Sequence, residues 1–211
     1  GHNLSVTLDR PAGLIEVEAF GLDGSSVGVG RTDGRGAPPG TAVPVSWSGE
    51  AEVARLAIKA NDVDGFWAGL ELFPWYYEIP HEDVVFETGD QQVLPAEAPK
   101  LAAALGQIDT VLARYGKLAQ INLYVGGYTD RVGSVESNLV LSNKRAHAIG
   151  EWFKAHGFSG PIYVQGFGER GSAVNTADEQ PEPANRRAVY VVAAEAPPIT
   201  DAMPGAKWSR L

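Results

Sequence analysis

Cysteine is absent from this chain, and methionine occurs once among its 211 residues. The protein therefore has no disulfide, thiolate nucleophile or cysteine-bound metal centre. Long apolar runs are missing too, and none approaches the ~18 residues of a membrane-spanning helix. Basic residues are in the minority. The chain has 26 acidic residues against 17 lysines and arginines, which gives a formal charge of −9. This balance argues against nucleic acid as a partner, since a phosphate backbone needs a basic surface.

Patterns that would indicate a metal, a cofactor or catalysis are also missing. The four histidines lack the spacing of metal ligands, and no serine-centred nucleophile motif is present. The acidic segment 62–65 carries only a fragment of a calcium loop and is better interpreted as a turn. Gly28 and Gly30 are not followed by a helix, so they do not form a nucleotide loop. The sequence thus predicts no metal, no cofactor and no catalytic residue, and a protein that is not an enzyme.

The first part of the chain is predicted to be all β. Four segments alternate apolar and polar residues as half-buried strands do, and turn signals separate them: 4–8, 14–20, 41–48 and 51–60. An aromatic-rich segment follows at 66–77, and Pro80 blocks continuation of a strand or helix. The pattern predicts a β-sandwich-like domain over residues 1–80.

The aromatic-rich segment has two interpretations. Such a run is more often core or inter-domain packing than a sugar-stacking platform. Exposure of Trp67 and Trp75 would favour a binding surface, and burial of these rings would favour packing.

The second part of the chain changes character. Leu101, Leu105 and Ile108 recur at helical spacing, and a second helix is predicted over 142–156 with Ser142 as its N-cap. Strand patterns lie before, between and after these helices, and the order β-α-β-α-β-β predicts a two-layer sandwich with both helices on one sheet face. The fold class is therefore α+β, with this sandwich at residues 81–195. Residues 196–211 are predicted to form an extended or partner-packed tail.

Several short blocks of the second part share an order that is typical of one family. They lie at 84–89, 127–130, 138, 141–146, 166–169 and 185–187. Together they resemble the OmpA-like peptidoglycan-binding domain, whose signature reads G-H-T-D, N, L-S-x-x-R-A, G-[YF]-G-E and N-R-R. The resemblance covers about half of the chain, from about residue 84 to 194.

The resemblance implies a site for diaminopimelate, which carries an ammonium and a carboxylate on one carbon. Asp130 would accept the ammonium, and Arg145 would grip the carboxylate with its planar fork. With Ser142 as N-cap, Arg145 would lie in the first helical turn, where the positive end of the helix dipole also favours a carboxylate. The other implied ligand-binding residues are Thr129, Asn138, Leu139 and Arg186.

Each of these residues has a plainer alternative. Asp130 and Arg145 could form a salt bridge that only ties a loop to a helix. Asn138 could brace the loop through its amide. Arg186 could belong to a solvated basic pair, and Arg187 is expected to brace the fold.

Three positions depart from the family pattern. Tyr128 replaces the usual His, at a position that we expect to be packing. Val132 and Gly89 stand where members often have polar residues, so some hydrogen bonds to the peptide are lost. Thr88 or Asp90 could compensate for them.

The resemblance implies a non-catalytic anchor that holds a bacterial envelope protein to the cell wall, in the periplasm and associated with the outer membrane. The alternative is an interaction or adhesion module, such as part of a secretion complex, whose β domain binds a protein or glycan partner. A peptidoglycan-cleaving enzyme is disfavoured, because an arginine beside Asp130 favours the charged carboxylate and makes it a poor general acid.

Overall fold

The computed structural model describes residues 1–86 and 90–211, and contacts between residues divide the chain into two units, 1–75 and 76–211. The sequence places the boundary at 80 instead. The difference arises because a short strand, Tyr76–Glu78, pairs within the second unit.

The first unit is built from six strands. They are β1 (His2–Thr7), β2 (Ala12–Phe20), β3 (Ser26–Ala37), β4 (Ala42–Trp47), β5 (Arg55–Asp62) and β6 (Trp67–Leu72). Antiparallel pairing gives a four-stranded sheet in the order β3-β2-β5-β6 and a two-stranded sheet of β1 and β4. Alternate residues of β2, β4 and β5 are buried, as the period of two requires. Their apolar side chains form one core, so the predicted all-β sandwich-like unit is confirmed.

Two weak motifs of the first unit have structural roles. Gly28 and Gly30 lie within β3. Asp62 closes the turn after β5, because its Oδ1 accepts from the backbone N–H groups of Asp64 and Phe66, both at 2.9 Å. Arg10 neutralises the same carboxylate, with Nε 2.7 Å from Oδ2. The acidic segment is thus a hydrogen-bonded turn, as predicted.

The second unit alternates strands and helices. Its elements are β7 (Tyr76–Glu78), α1 (Ala98–Tyr115), β8 (Asn122–Tyr128), α2 (Val135–Ala155), β9 (Ile162–Gly168), β10 (Ala188–Ala193) and β11 (Ser209–Arg210). Short 3-10 turns at Pro95–Glu97 and Pro183–Asn185 precede α1 and β10. The strands form a sheet in the order β11-β9-β8-β10-β7, in which β8 and β9 are parallel. The predicted α+β class is confirmed.

Both helices cover the same face of this sheet. Phe153 of α2 packs edge-on against Tyr190 of β10, with ring centroids 5.1 Å apart. Val192 lies on the same face as Tyr190 and pairs with Tyr77 of β7. The hydroxyl of Tyr77 is hydrogen-bonded to that of Tyr115 at the end of α1. Within the described residues, neither helix combines the length and apolar character needed to cross a membrane.

The C-terminal segment covers the opposite face of the sheet. Trp208 packs edge-on against Tyr124 and Phe167, at centroid distances of 5.2 and 5.8 Å. Met203 is buried in the same cluster, and β11 adds a strand to β9. Residues 196–211, which the sequence predicts as an extended or partner-packed tail, therefore form a third layer of the second unit.

Two predicted elements differ from the structure. Residues 84–86 form no strand, and residues 87–89 of the expected opening strand and turn lie outside the described residues. Helix α2 begins at Val135, with Ser134 as N-cap, whose hydroxyl accepts from Ser137 N. Ser142 is instead buried inside α2, where its hydroxyl accepts from Gly168 N at 2.9 Å.

Candidate ligand-binding site

An open cavity of about 630 Å³ lies where β8 ends. Its described lining comes from segment 83–86, from the residues that follow β8, from α2 and from segment 181–186. Five of the predicted site residues share this lining: Thr129, Asp130, Asn138, Arg145 and Arg186. Residues far apart in the chain therefore meet in one place, as the motif order predicts.

Asp130 is buried, and the surrounding loops hold its carboxylate. Its Oδ2 accepts from Arg186 Nη1 at 2.7 Å and from the backbone N–H of Glu182 at 3.3 Å. Its Oδ1 accepts only a long bond of 3.4 Å from Val132 N among the bonds that the structure describes. Arg186 is thus the ion-pair partner of Asp130, and Oδ1 keeps room for a further donor.

Arg145 is held from two sides, although it is buried and charged. Its Nε donates to the carbonyl oxygen of Asp90 at 3.1 Å, and its guanidinium carbon lies 4.9 Å from the centre of the Phe86 ring. Burial and the positive charge of Arg186 lower the pKa of Arg145, while Asp130 acts in the opposite direction. An arginine starts from so high a pKa that it stays charged.

The position of Arg145 corrects one prediction. Because α2 starts at Val135, Arg145 lies in its third turn and not in its first. The positive end of the helix dipole acts mainly in the first turn, so it does not assist Arg145.

Asn138 both lines the cavity and braces it. Its Nδ2 donates to Glu169 Oε2 at 3.0 Å and, more weakly, to the carbonyl oxygen of Asp130 at 3.4 Å. Glu169 also lies 3.9 Å from Arg131 Nε. The acidic residue of the 166–169 block therefore fixes the orientation of Asn138 beside Asp130.

Thr129 and Leu139 differ in their relation to the cavity. Thr129 is buried, and its hydroxyl oxygen has no hydrogen-bond partner in the part of the chain that the structure describes. Leu139 is 39% exposed and does not belong to the described lining. Neighbouring residues on a helix point about 100° apart, so the side chains of Asn138 and Leu139 leave α2 in different directions.

Two neighbouring motif residues serve the fold. Arg187 lies 4.1 Å from the Tyr128 ring centre and donates to the carbonyl oxygen of Gly171 at 2.7 Å. Tyr128 is stacked on Phe167, and its hydroxyl donates to the carbonyl oxygen of Ala202 at 2.7 Å. Both roles agree with the bracing and packing that the sequence implies for these positions.

Sequence reasoning missed part of the lining. Phe86, which supports Arg145, lies in a block for which the sequence predicts a strand. Pro181 and Pro183 form the wall beside Arg186, and the Pro-x-Pro pattern before the Asn-Arg-Arg block was the available signal. Prolines stiffen an extended segment, which keeps this wall in place.

Two guanidinium groups and the Asp130 carboxylate therefore face one cavity. A ligand that carries both an anionic and a cationic group matches this arrangement. The fold and the cavity define an α+β domain equipped to bind a small charged ligand. Residues 85–187 match the model of the OmpA family, so this part of the chain is similar to OmpA-like domains.

Curated relatives match the same half of the chain. Outer membrane protein A of Buchnera aphidicola subsp. Schizaphis graminum is 30% identical over 100 residues, which is 47% of this chain and 27% of that protein. Outer membrane protein P5 of Haemophilus influenzae is 32% identical over 101 residues, which is 47% of this chain and 26% of that protein. The chain thus spans about a quarter of the length of these relatives.

Among solved structures, the peptidoglycan-associated lipoprotein of Burkholderia pseudomallei is similar at 25% identity, with a TM-score of 0.41. The match covers 53% of this chain and 89% of that one.

Proposed function

We propose that the second unit binds the peptide stem of peptidoglycan through diaminopimelate, and so anchors an envelope protein to the cell wall without cutting it. The observation that carries the proposal is the meeting of Asp130, Arg145 and Arg186 around one cavity. The OmpA-like family is generally non-catalytic, and its named relatives here are outer membrane proteins.

Charge complementarity gives the ligand its orientation. The ammonium donates to Asp130 Oδ1, the carboxylate oxygen with only one long bond. The carboxylate of the ligand accepts from the guanidinium of Arg145. Each charged hydrogen bond contributes about 1.5–3 kcal/mol when it is partly shielded. A single contact of this kind is weak, so many copies on a polymeric wall would supply avidity.

Thr129 adds a neutral contact. Its buried hydroxyl, unpaired in the described structure, lies next to Asp130 in the cavity lining. A buried hydroxyl without a partner is costly, and a bound peptide group would satisfy it. This feature supports a ligand with amide groups near its charged end.

Co-sedimentation with purified diaminopimelate-type sacculi tests the proposal. The wild-type protein should pellet, and Asp130→Ala and Arg145→Ala should stay in the supernatant. Matched controls are Asp109→Ala and Arg31→Ala, which remove the same charges outside the cavity and should pellet like the wild type. Circular dichroism confirms that each variant is folded.

Sacculi with lysine stems test the diaminopimelate assignment separately. Lysine lacks the second carboxylate, so it cannot engage Arg145 in the same way. Equal pelleting with both types of sacculi would refute diaminopimelate recognition, and no pelleting of the wild type would refute wall binding.

A second function is favoured by an exposed surface on the first unit. Trp67 is 65% exposed and Phe66 is 64% exposed, while Trp75 is half-buried and donates its ring N–H to the carbonyl oxygen of Ala54. We infer that the Trp67 side of the unit binds a protein or glycan partner in the envelope. Loss of partner capture from envelope extracts in Trp67→Ala, with sacculus pelleting unchanged, would support it; unchanged capture would refute it.

A further inference from the structure

A second cavity adjoins the first along α2. It measures about 580 Å³ and lies between segment 90–93 and the side chains of Ala148, Trp152 and His156. The two cavities share a boundary, because Asp90 lines the second one and its carbonyl oxygen accepts from Arg145 Nε at 3.1 Å. The proposed function uses none of the groups beyond this boundary.

An aromatic pair forms one wall of the second cavity. The rings of Trp152 and His156 are stacked, with centroids 3.8 Å apart and planes 10° apart. His156 Nδ1 donates to the carbonyl oxygen of Trp152 at 2.7 Å, since a carbonyl oxygen can only accept. In the neutral ring, Nε2 is then an acceptor, and the pair is held rigidly.

The opposite wall is polar and carries little charge. Gln91 and Gln92 are exposed and offer amide groups that both donate and accept hydrogen bonds. Asp90 supplies the carboxylate of the described lining, and its Oδ1 accepts from the backbone N–H groups of Gln91 and Gln92. Because the two rings are stacked on each other, the pair offers a ligand only an outer ring face and its edges. An aromatic face near amide groups suits a sugar ring, which has C–H groups on its faces and hydroxyl groups on its rim.

The distance between the two cavities fits the chemistry of the stem. Arg145, Ala148 and Trp152 follow one another on the same face of α2, at helical spacing. Seven residues of helix separate Arg145 from Trp152 by about 10 Å. Diaminopimelate is the third residue of a stem that is attached to muramic acid. Three extended residues span about 10 Å, and the diaminopimelate side chain adds to this reach, so the stem is long enough to join the two cavities.

We propose that the cavity at Trp152 and His156 binds the amino-sugar ring that carries the stem peptide. This inference rests on the proposed function, because it places the sugar by the reach of a stem held at Arg145. The sugar packs its C–H face on the aromatic pair, and its hydroxyl and acetamido groups bond with Gln91 and Gln92. The site would thus recognise a muropeptide and not the peptide alone.

Calorimetry with two defined ligands tests this subsite. One ligand is the disaccharide–peptide muropeptide with a diaminopimelate stem, and the other is the same peptide after amidase removal of the disaccharide. The wild type should bind the muropeptide about 3- to 10-fold more tightly, as one aromatic contact allows. His156→Ala and Trp152→Leu should bring that ratio close to one and leave the affinity for the bare peptide unchanged.

The control is Trp67→Leu, which makes the same change as Trp152→Leu on an exposed ring of the other unit and should keep the wild-type ratio. His156 is exposed, so His156→Ala serves as the test if Trp152→Leu fails to fold. Equal wild-type affinities for the two ligands would overturn the subsite and leave the proposed function standing. Loss of the ratio in Trp67→Leu alone would move the sugar to the first unit, and no binding of either ligand would overturn both proposals.

Discussion

A glycine in the family motif sets the distance between α2 and the sheet. A Cβ added to Gly127 of β8 would lie 2.3 Å from the backbone carbonyl oxygen of Ser142 and 3.4 Å from Ala146 Cβ. Gly166 of β9 has a similar contact, at 2.3 Å from Asn143 N. A side chain could rotate away, but a helix backbone can only move as a whole. Gly127→Ala should therefore push α2 off the sheet.

The expected loss of stability is large for one methyl group. Overpacking a core costs about 1–3 kcal/mol. We expect about 3 kcal/mol for Gly127→Ala, because the nearest obstacle is the backbone of α2, which cannot rotate away as a side chain could. Gly106→Ala is the matched control, since it lies within α1 and its added Cβ would meet no atom within 4 Å. Removing a glycine from a helix interior should stabilise the unit by about 0.5–1 kcal/mol.

Native-state hydrogen exchange measures this prediction in the second unit separately. The slowest amides of β8 and β10 report the free energy of opening of the second unit alone. An unfolding curve of the whole chain would combine the transitions of both units. Because α2 carries Asn138 and Arg145, Gly127→Ala should also weaken sacculus binding, whereas Gly106→Ala should not. An opening free energy of Gly127→Ala within about 0.5 kcal/mol of the wild type would refute the close-contact reasoning.

Three further changes have defined outcomes. Asp130→Asn should weaken muropeptide binding about 10- to 150-fold in calorimetry, because it removes one charged hydrogen bond; an unchanged affinity would exclude Asp130 from the site. Trp208→Ala should destabilise the unit by about 1.5–3 kcal/mol in hydrogen exchange and increase binding of a hydrophobic dye, because the partly buried Trp208 ring covers Phe167; a neutral result would contradict a third layer. Burial raises the pKa of Tyr190 above its ordinary value of 10.0, so stability should be intact below pH 10.0 and fall as the pH rises above it. Tyr190→Phe should flatten that decline in thermal melts at alkaline pH, and an unaltered decline would assign it to other groups.

The sequence was most informative where residues have obligatory chemistry. The motif blocks predict five residues that share one cavity: Thr129, Asp130, Asn138, Arg145 and Arg186. Charged and amide groups in a fixed order are specific signals, because few folds bring them together. Leu139 lies outside the described lining of this cavity, and its contact with a ligand stays a prediction.

The start of α2 was mispredicted for a local reason. Both Ser134 and Ser142 suit an N-cap, and serine at either position precedes helix-forming residues. The structure uses Ser134, with Glu136 in the first turn, because the longer helix lets Ser142 reach Gly168 on β9. The contact between Ser142 and Gly168 joins segments that are distant in the chain. The sequence around each serine therefore does not show which of the two is the N-cap.

The C-terminal segment shows a second limit of sequence reasoning. Its prolines predict an extended path, and the path is extended, but nothing local says which surface it covers. Tyr124 and Phe167 on the uncovered face of the sheet needed an apolar partner, and Met203 and Trp208 supply it. Pairing between distant segments depends on shape and not on pattern.

The pairing of β7 with β10 has a mechanical consequence. The chain enters the second unit at Tyr76, which pairs with Ala193 at one end of the β7–β10 ladder, while Arg186 precedes the other end. Tension between residue 75 and a ligand held beside Arg186 therefore runs along the strands. Hydrogen bonds in a ladder pulled lengthwise are strained simultaneously, whereas a ladder pulled sideways opens one bond at a time. A pull on residue 75 would therefore load the β7–β10 ladder along its strands, which is the direction in which the ladder resists more force.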